Sequence, residues 1–321
     1  MIDDFDEIEN ILNPAIPIPP DMEPELQDIL PRGYLSVSQV TTVLKCAYSW
    51  YLRYVEGKKS RNSIRPFQGI QVHKAVEKVL EARLYKGELP PLEMATDAFS
   101  TEFDKQAPMI DDWEGQDKGL AKDTGVLCTK VFYQEAAVKA TPVLVEKTFH
   151  TVVRTADGKV SLPILGRIDN IQVQSLNEKE YQDIRAGAVA NIEAQRAKNP
   201  RAVLKTPPLS KPARLHDLKV VTDKWSETDL VNDLQFAIYA GVEHIPDVQV
   251  DMLVKGRAKV PRPRYEQLTG VMTNAQVQYA VRVVEDVART IGLGHFSRTN
   301  PDNWWCSEKF CSMWAHCRGA K

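Results

Sequence analysis

The chain has 321 residues, 43% of them hydrophobic, and a formal net charge of −2 at pH 7. This length allows one large domain or two small ones. No run of about eighteen apolar residues occurs, which argues against a membrane span. The opening residues MIDDFDEIEN lack the basic start and apolar core of a signal peptide, so the sequence predicts a cytoplasmic protein. In a reducing compartment its five cysteines favour metal binding or reactivity over disulfides.

The small net charge hides an asymmetry along the chain. Residues 1–31 hold nine Asp or Glu and no Lys or Arg, and they are rich in proline. We predict an acidic arm over residues 1–33 that is flexible and solvated. The alternative is that this arm folds over a basic groove and competes there with a polyanion.

Residues 34–140 show the spacing of helices. Ser36 or Ser38 is placed to cap a helix that carries Val40 and Val43 at helical spacing. The stretch GIQVHKAVEKVLEARLYKG predicts a second helix, and residues 117–140 predict a third. Cys128, inside that third helix, is expected in the core.

Strands dominate the next part of the chain. The stretches VLVEKTFHTVV and KVSLPILGRIDNIQV flank Asp157-Gly158, which is a hairpin signal. Further strands are predicted at RLHDLKVV and DVQVDMLVK, with a helix over 228–241 between them. Thr273 and Gln276 form a candidate capping box for a long helix that ends at Gly292 or Gly294.

This order of elements predicts an α/β (α+β) fold with a mixed β-sheet core flanked by helices. We expect a single domain over residues 34–318. Its parts are a helical region over 34–140, a catalytic sheet over 141–255 with a basic insertion over 180–214, and a C-terminal helix with a cysteine segment over 270–318. No GxxxxGK[ST] motif occurs, so no NTP is expected to bind.

Three polar residues in the predicted strands point to hydrolytic chemistry. Asp217 and Lys219 alternate along one strand and therefore share a face. Asp169 lies in an apolar strand, where a carboxylate is costly unless it is paired or binds a cation. If the two strands are neighbours, the aspartates converge into an oxygen site suited to Mg²⁺ or Mn²⁺. Such a site activates water for phosphodiester hydrolysis, and a lysine there orients or deprotonates that water.

Four short motifs around these residues occur in a fixed order. They are Gly69 with His73, Gly166 with Asp169, Asp217 with Lys219, and Gln235 with Tyr239. The series resembles the PD-(D/E)xK nuclease superfamily, specifically its RecB-like branch, and so implies a restriction-endonuclease-like fold. The resemblance implies that His73, Asp169 and Asp217 bind Mg²⁺ or Mn²⁺ and that His73, Asp169, Asp217 and Lys219 form the catalytic site. Gln235 and Tyr239 would support that site or touch the DNA backbone.

The chain departs from the family pattern between the two aspartates. Asp217 follows Asp169 by 48 positions, where the family has a tight turn. The insertion is basic, and it is interpreted as either a solvated loop or a flap over the DNA entrance, whose phosphate contacts would depend on salt. Its basic residues are Arg185, Arg196, Lys198, Arg201, Lys205, Lys211 and Arg214. A second basic run, expected to extend the same groove, is Lys255, Arg257, Lys259, Arg262 and Arg264.

Three of the five cysteines crowd into the C-terminal stretch CSEKFCSMWAHC, as Cys306, Cys311 and Cys317. Zinc bound with His316, and buried unligated thiols, are open alternatives. An iron–sulfur cluster needs four thiolates. Cys46, in LKCAYSWYLRYV, resembles the first cluster cysteine of the iron–sulfur subgroup of RecB-like nucleases, which includes the AddB nuclease domain, the CRISPR-associated Cas-type-four exonucleases and related bacteriophage exonucleases.

The resemblance therefore implies that Cys46 and the three C-terminal cysteines bind a structural [4Fe–4S] cluster. The C-x₄-C-x₅-C spacing here departs from the C-x₂-C-x₅-C expected for that subgroup. A cluster held this way would close a loop of about 260 residues and restrict the unfolded chain. Three nearby tryptophans either pack around the cluster or stack unpaired bases; they are Trp304, Trp305 and Trp314.

The sequence thus predicts a metal-dependent DNA exonuclease that acts on single-stranded or frayed DNA ends, with a role in recombination, repair or bacteriophage DNA metabolism. One alternative is a CRISPR adaptation nuclease that trims spacer precursors. Alternatives of another class are a non-catalytic DNA-binding module and an iron–sulfur redox sensor.

Overall fold

The structure is a computed structural model that describes Leu30 and residues 33–154, 161–200, 203–256 and 262–318. Several predictions of the sequence lie outside these residues. They are the acidic arm apart from Leu30 and Gly33, the Asp157-Gly158 turn, and the basic residues Arg201, Arg257 and Lys259. Within the described residues, no helix is long and apolar enough to span a membrane.

Helices and strands alternate along the described chain. The helices are α1 Val37–Lys45, α2 Ala47–Trp50, α3 Ile64–Lys86, α4 Leu92–Gln106, α5 Lys118–Glu135, α6 Glu178–Lys198, α7 Glu227–Val231, α8 Leu234–Glu243, α9 Asn274–Gly292 and α10 Trp314–Cys317. The strands are β1 Leu35–Ser36, β2 Pro142–Arg154, β3 Ser161–Val173, β4 Ala213–Val221, β5 Asp247–Val254 and β6 Arg264–Val271. A π-helical turn, Tyr51–Val55, follows α2.

The chain divides into two compact units. The terminal unit comprises Met1–Asn62, Phe149–Gly166 and Asn274–Lys321, and the central unit comprises Ser63–Thr148 and Arg167–Thr273.

The central unit contains a mixed sheet. β3 pairs antiparallel with β4, β4 pairs parallel with β5, and β5 pairs antiparallel with β6. β2 also pairs with β3. Residues of β5 from Val248 onward are buried, as expected of a strand covered on both faces. The register between β3 and β4 places Asn170 opposite His216, so Asp169 and Asp217 lie next to this pair.

Helix α3 supplies much of the core of the central unit. Its predicted apolar stripe is buried, from Val72 through Val76 and Val79 to Leu84. The helix ends at Gly87, whose φ of 78° is a left-handed conformation that glycine adopts without strain. Cys128 of α5 is fully buried, which confirms its predicted place in the core.

The structure corrects the interpretation of residues 180–214. Most of this stretch is helix α6, which begins at a capping box of Asn177 and Glu180, and not a solvated loop. Arg185 of α6 donates a hydrogen bond of 2.8 Å to the carbonyl oxygen of Leu84, and Gln182 donates one of 2.9 Å to that of Gly87. The helix therefore supplies donors to carbonyl groups at the end of α3, where Arg83 of α3 also donates to the Gly87 carbonyl oxygen.

A strand was also missing from the prediction. β6 begins at Arg264, the last residue of the second basic run, and pairs with β5 along its whole length. Its burial alternates between exposed and half-buried residues, which is typical of a strand with one solvated face.

The terminal unit begins with the predicted cap. The Ser36 side chain accepts a hydrogen bond from the Gln39 backbone N–H and so starts α1. β1 pairs parallel with β3 at Ile164 and Leu165. At Cys46 the backbone is extended, with φ −166° and ψ 102°, and this residue separates α1 from α2. Trp50 is fully buried and packs against Phe296, with ring centroids 5.7 Å apart.

Candidate active site and cysteine cavity

Asp169 and Asp217 lie on neighbouring strands of the central unit. Oδ2 of Asp169, on β3, accepts a hydrogen bond of 2.7 Å from the backbone N–H of Leu218, on β4. Asp217 and Lys219 flank Leu218 and share one face of β4. Asp217 is buried, with only 3% of its surface exposed. The convergence expected if the strands were neighbours is therefore present.

Lys219 lies at the centre of a chain of polar contacts. Its Nζ lies 2.7 Å from Oδ2 of Asp217 and 3.1 Å from Oε1 of Gln235. The Gln235 amide donates hydrogen bonds of 2.8 Å to Oδ1 of Asp217 and to the Tyr239 hydroxyl. The Tyr239 hydroxyl in turn donates one of 2.6 Å to the carbonyl oxygen of Arg167. Helix α8 thus holds its two predicted residues, one helical turn apart, against the acid–lysine pair.

Burial controls the protonation of this pair. Burial and, to a smaller extent, the nearby Asp169 raise the pKa of Asp217 to about 7, although Lys219 opposes the shift. Burial on its own would lower the pKa of Lys219, but Asp217, Asp169 and Asp233 together raise it above the ordinary lysine value. The lysine is therefore held as an ammonium ion, which suits it to donate to an anion and not to accept a proton.

His73 reaches the same place from helix α3. Its Nδ1 lies 3.4 Å from Oδ2 of Asp169. Burial lowers the pKa of His73, so the imidazole is neutral near pH 7 and has a nitrogen lone pair available to a metal. All six residues predicted for the site, His73, Asp169, Asp217, Lys219, Gln235 and Tyr239, belong to the central unit.

The sequence analysis missed two residues beside Asp169. Glu146 of β2 has a left-handed backbone, with φ 48°, and its Oε2 lies 2.7 Å from Nε of Arg167. Burial raises the pKa of Glu146 well above its ordinary value, and Asp169 adds to the effect. The signal was present in VLVEKTF, because an acid inside an apolar strand is as costly there as at Asp169.

The donor set fits a hard divalent cation by its chemistry. Two carboxylates and a neutral imidazole are ligands that Mg²⁺ or Mn²⁺ accepts. Oδ2 of Asp217 is buried and receives no aligned hydrogen bond, although Lys219 lies against it. A cation would favour the ionised forms of both aspartates. No three His, Cys, Asp or Glu side chains among the described residues already surround one point as ligands of a single ion.

The four cysteines of the second motif line one cavity in the terminal unit. Cys46, Cys306, Cys311 and Cys317 all face this space, whose volume is about 170 Å³. Burial raises the pKa of Cys311, and the proximity of the other three cysteines raises it further. Arg298, which also lines the cavity, hydrogen-bonds to Cys317, and this bond raises the pKa of Arg298.

The same geometry bears on the alternatives left open for the cysteines. His316 does not line the cavity, and its Nε2 lies 3.0 Å from the carbonyl oxygen of Lys59, which argues against a zinc site completed by His316. Cys128 belongs to the central unit, and burial raises its pKa to about 12, as expected of an inert core thiol. A cavity of about 150 Å³ accommodates benzene, so this one is large for a single ion.

A model of one protein family matches part of the chain. Residues 34–188 match the family model of the PD-(D/E)XK nuclease superfamily. The match covers just under half of the chain; it contains His73 and Asp169 and ends before Asp217 and Lys219. The mixed β-sheet flanked by helices is confirmed, and it is consistent with the restriction-endonuclease-like fold of that superfamily.

Two solved structures are similar over most of the chain. The structure of SSO0001 is 13% identical, covers 88% of this chain and 95% of its own, and has a TM-score of 0.34. A structure described as a "putative exonuclease" from Eubacterium rectale is 14% identical, covers 93% of this chain and 92% of its own, and has a TM-score of 0.45. No curated protein matches the chain.

Proposed function

We propose that the protein is a metal-dependent DNA exonuclease of the RecB-like type that hydrolyses phosphodiester bonds at single-stranded or frayed ends. The family match supports a nuclease. The observation that carries the proposal is the linked set of buried and half-buried polar groups on β3, β4 and α8. A buried carboxylate, an ammonium ion, an amide and a phenol held in contact are costly in a core and are typical of a catalytic site.

His73, Asp169 and Asp217 would hold Mg²⁺ or Mn²⁺. When bound, such an ion lowers the pKa of a coordinated water and stabilises negative charge on the phosphate. Each of the three side chains is fixed by its own element: His73 by α3, Asp169 by the hydrogen bond to Leu218, and Asp217 by Gln235. The three side chains would therefore be held close to the site, and binding of the cation would bring them around one point.

Lys219 supplies positive charge for the reaction. Since its pKa is raised, it is an ammonium donor for a phosphate oxygen or for the attacking water. The sequence analysis allowed Lys219 either to orient the attacking water or to deprotonate it, and an ammonium ion suits the orienting role. Gln235 holds both Lys219 and Asp217, and Tyr239 fixes Gln235, so both residues of α8 position the reactive groups.

Digestion of end-labelled DNA tests this function. We expect Asp217→Asn and Lys219→Met to abolish the degradation of 5′- and 3′-labelled single strands in Mn²⁺ or Mg²⁺. Lys224→Met is the matched control, because Lys224 is exposed and lies just beyond β4; it should cut like the unaltered protein. Full activity in either site variant would refute the assignment, and release of internal fragments in place of mononucleotides would refute exonuclease action.

We further propose that the four cavity cysteines bind a structural [4Fe–4S] cluster. The cavity size and the four thiols facing it support a polynuclear group over a single ion. Such a cluster would fasten residue 46 to residues 306–317 within the terminal unit and so restrict the unfolded chain. The protein purified without oxygen should contain iron and sulfide and absorb broadly in the visible range. Cys306→Ala should remove both, whereas Cys128→Ala should leave them; a colourless protein that contains zinc would refute the cluster.

A further inference from the structure

An aromatic pair is exposed on the terminal unit next to the cysteine cavity. Trp304 is 66% exposed and Phe310 is 40% exposed. Their ring centroids lie 5.0 Å apart at an interplanar angle of 89°, so the two rings meet edge to face. We call Trp304, Phe310, Lys45 and Lys309 the Trp304 surface.

The sequence analysis left packing and base stacking open as roles for the three tryptophans, and their environments in the structure differ. Trp305 and Trp314 are half-buried and line the cavity, so packing accounts for them, whereas Phe310 also lines the cavity but is exposed. Trp304 instead presents most of its indole to solvent, although Trp305 supports it in an edge contact with centroids 5.7 Å apart. An indole left largely in water gives up hydrophobic stabilisation, and such residues mark interaction sites when other exposed apolar groups join them.

Cationic side chains border the aromatic pair. Lys45 Nζ lies 5.8 Å from the Trp304 ring centroid, and Lys309 Nζ lies 5.2 Å from that of Phe310. Arg61 donates hydrogen bonds of 2.8 and 3.1 Å to the carbonyl oxygens of Glu308 and Lys309. These bonds tie Arg61 to the backbone of the segment that carries Phe310, and Lys45 and Lys309 are the cations that border the two rings.

This combination matches the chemistry of unpaired nucleotides. Every base offers a π face to an aromatic ring, and each phosphate between two bases carries a negative charge. A protein partner fits less well, because the cores of protein–protein interfaces are depleted of lysine. Duplex DNA keeps its bases stacked inside the helix and cannot offer their faces to an exposed ring.

We propose that the Trp304 surface binds an unpaired DNA strand by stacking bases on Trp304 and Phe310 while Lys45 and Lys309 contact the phosphates. As a surface for substrate, it rests on the nuclease function proposed above. It would give that function its preference for single strands over duplex.

Binding of a fluorescein-labelled oligothymidylate to the full chain in a metal chelator tests the proposal by fluorescence anisotropy. Trp304→Ala should weaken binding by about tenfold, which corresponds to the loss of about 1.4 kcal/mol of base stacking. Trp304→Phe keeps a ring and should recover most of the affinity. Tyr279 is a 62% exposed ring of the same unit that does not belong to the Trp304 surface, so Tyr279→Ala should leave the affinity for the oligothymidylate unchanged. Blunt duplex should bind Trp304→Ala as it binds the unaltered protein.

Two results would overturn the stacking surface. One is unchanged oligothymidylate binding by both Trp304→Ala and Phe310→Ala. The other is an equal loss for single strand and duplex, which would mean that charge alone holds DNA there. Failure of the proposed nuclease function is a separate outcome. It would show as degradation of DNA by Asp217→Asn, and it does not depend on how Trp304→Ala binds the oligothymidylate. The Trp304→Phe comparison keeps the test decisive if alanine disturbs the fold.

Discussion

The Asp169 carboxylate and the Leu218 backbone N–H form a hydrogen bond of 2.7 Å across two neighbouring strands. Leu218 stands between Asp217 and Lys219, so this bond fixes one acid of the candidate site against the strand that carries the other two reactive groups. Site geometry and sheet geometry are therefore coupled at one atom, Oδ2 of Asp169.

A pair of substitutions at Asp169 separates charge from structure. Asp169→Asn retains an oxygen that accepts from Leu218, so we expect loss of nuclease activity with nearly unchanged stability. Asp169→Ala also leaves a backbone N–H without its partner, which should cost a further 1–3 kcal/mol or so of the free energy of unfolding. Denaturant melts and digestion assays check both. Equal stability of the two variants would contradict the structural role of the bond.

Lys147 and Glu243 form a buried ion pair in the central unit, with 5% and 4% of their side chains exposed. Lys147 also donates a hydrogen bond of 2.9 Å to the Thr206 hydroxyl. Lys147→Met should destabilise the protein by about 3–5 kcal/mol because it leaves the Glu243 charge buried without its cation. The double variant Lys147→Met/Glu243→Leu should recover much of that loss in thermal melts. A double variant as unstable as the single one would refute this account.

A buried polar cluster around Asp251 should make stability depend on acid. Burial alone would raise the pKa of Asp251, yet His216, Tyr265 and Gln249 hold it below the ordinary 3.8. Oδ2 of Asp251 lies 2.9 Å from His216 Nδ1, and Oδ1 accepts from the Tyr265 hydroxyl at 2.5 Å. Because the folded-state pKa is depressed, this stabilisation is complete above pH 3.8 and is lost as the pH falls through the folded value.

Asp251→Asn should therefore be less stable than the unaltered protein at neutral pH. When the pH falls below 3.8, it should lose less stability than the unaltered protein does. The check is the free energy of unfolding measured in denaturant at a series of pH values. Parallel curves for the two proteins would contradict the prediction.

Two helical glycines should respond oppositely to alanine. A Cβ at Gly125 of α5 would lie 2.0 Å from Cζ of Phe99, so Gly125→Ala should destabilise by about 1–3 kcal/mol through overpacking. A Cβ at Gly187 of α6 would meet nothing within 4 Å, so Gly187→Ala should stabilise by about 0.4–1 kcal/mol. Thermal melts of the two variants should move in opposite directions, and a shared direction would contradict the packing argument.

The elements that the sequence predicted well are those whose burial follows a simple period. Val72 through Leu84 repeat at helical spacing, and the alternation of Asp217 and Lys219 around Leu218 placed both side chains on one face. Helix α6 was missed because only three of its residues are buried, Tyr181, Ala188 and Ile192. With so little apolar surface it has no strong period, and its basic residues favoured a loop interpretation.

Contacts between residues far apart in the chain could not be predicted from the sequence either. That Gln235 touches both Lys219 and Asp217 depends on how α8 packs on β4, which no local pattern encodes. β6 was missed for a related reason: its burial depends on β5, and its own sequence is largely polar. Glu146, by contrast, could have been found, because the argument applied to Asp169 holds equally for an acid in VLVEKTF.

Helix α6 has a consequence for any attempt to shorten this protein. Residues 180–214 look dispensable, as an insertion between two strands that a tight turn could join. Yet Arg185 and Gln182 donate hydrogen bonds to the carbonyl oxygens of Leu84 and Gly87 at the end of α3, the helix on which His73 stands. A deletion mutant that joins β3 directly to β4 would remove these two donors and weaken the last turn of that helix. Helix α6 therefore supports α3, and its removal would disturb the helix that positions the His73 imidazole three turns away.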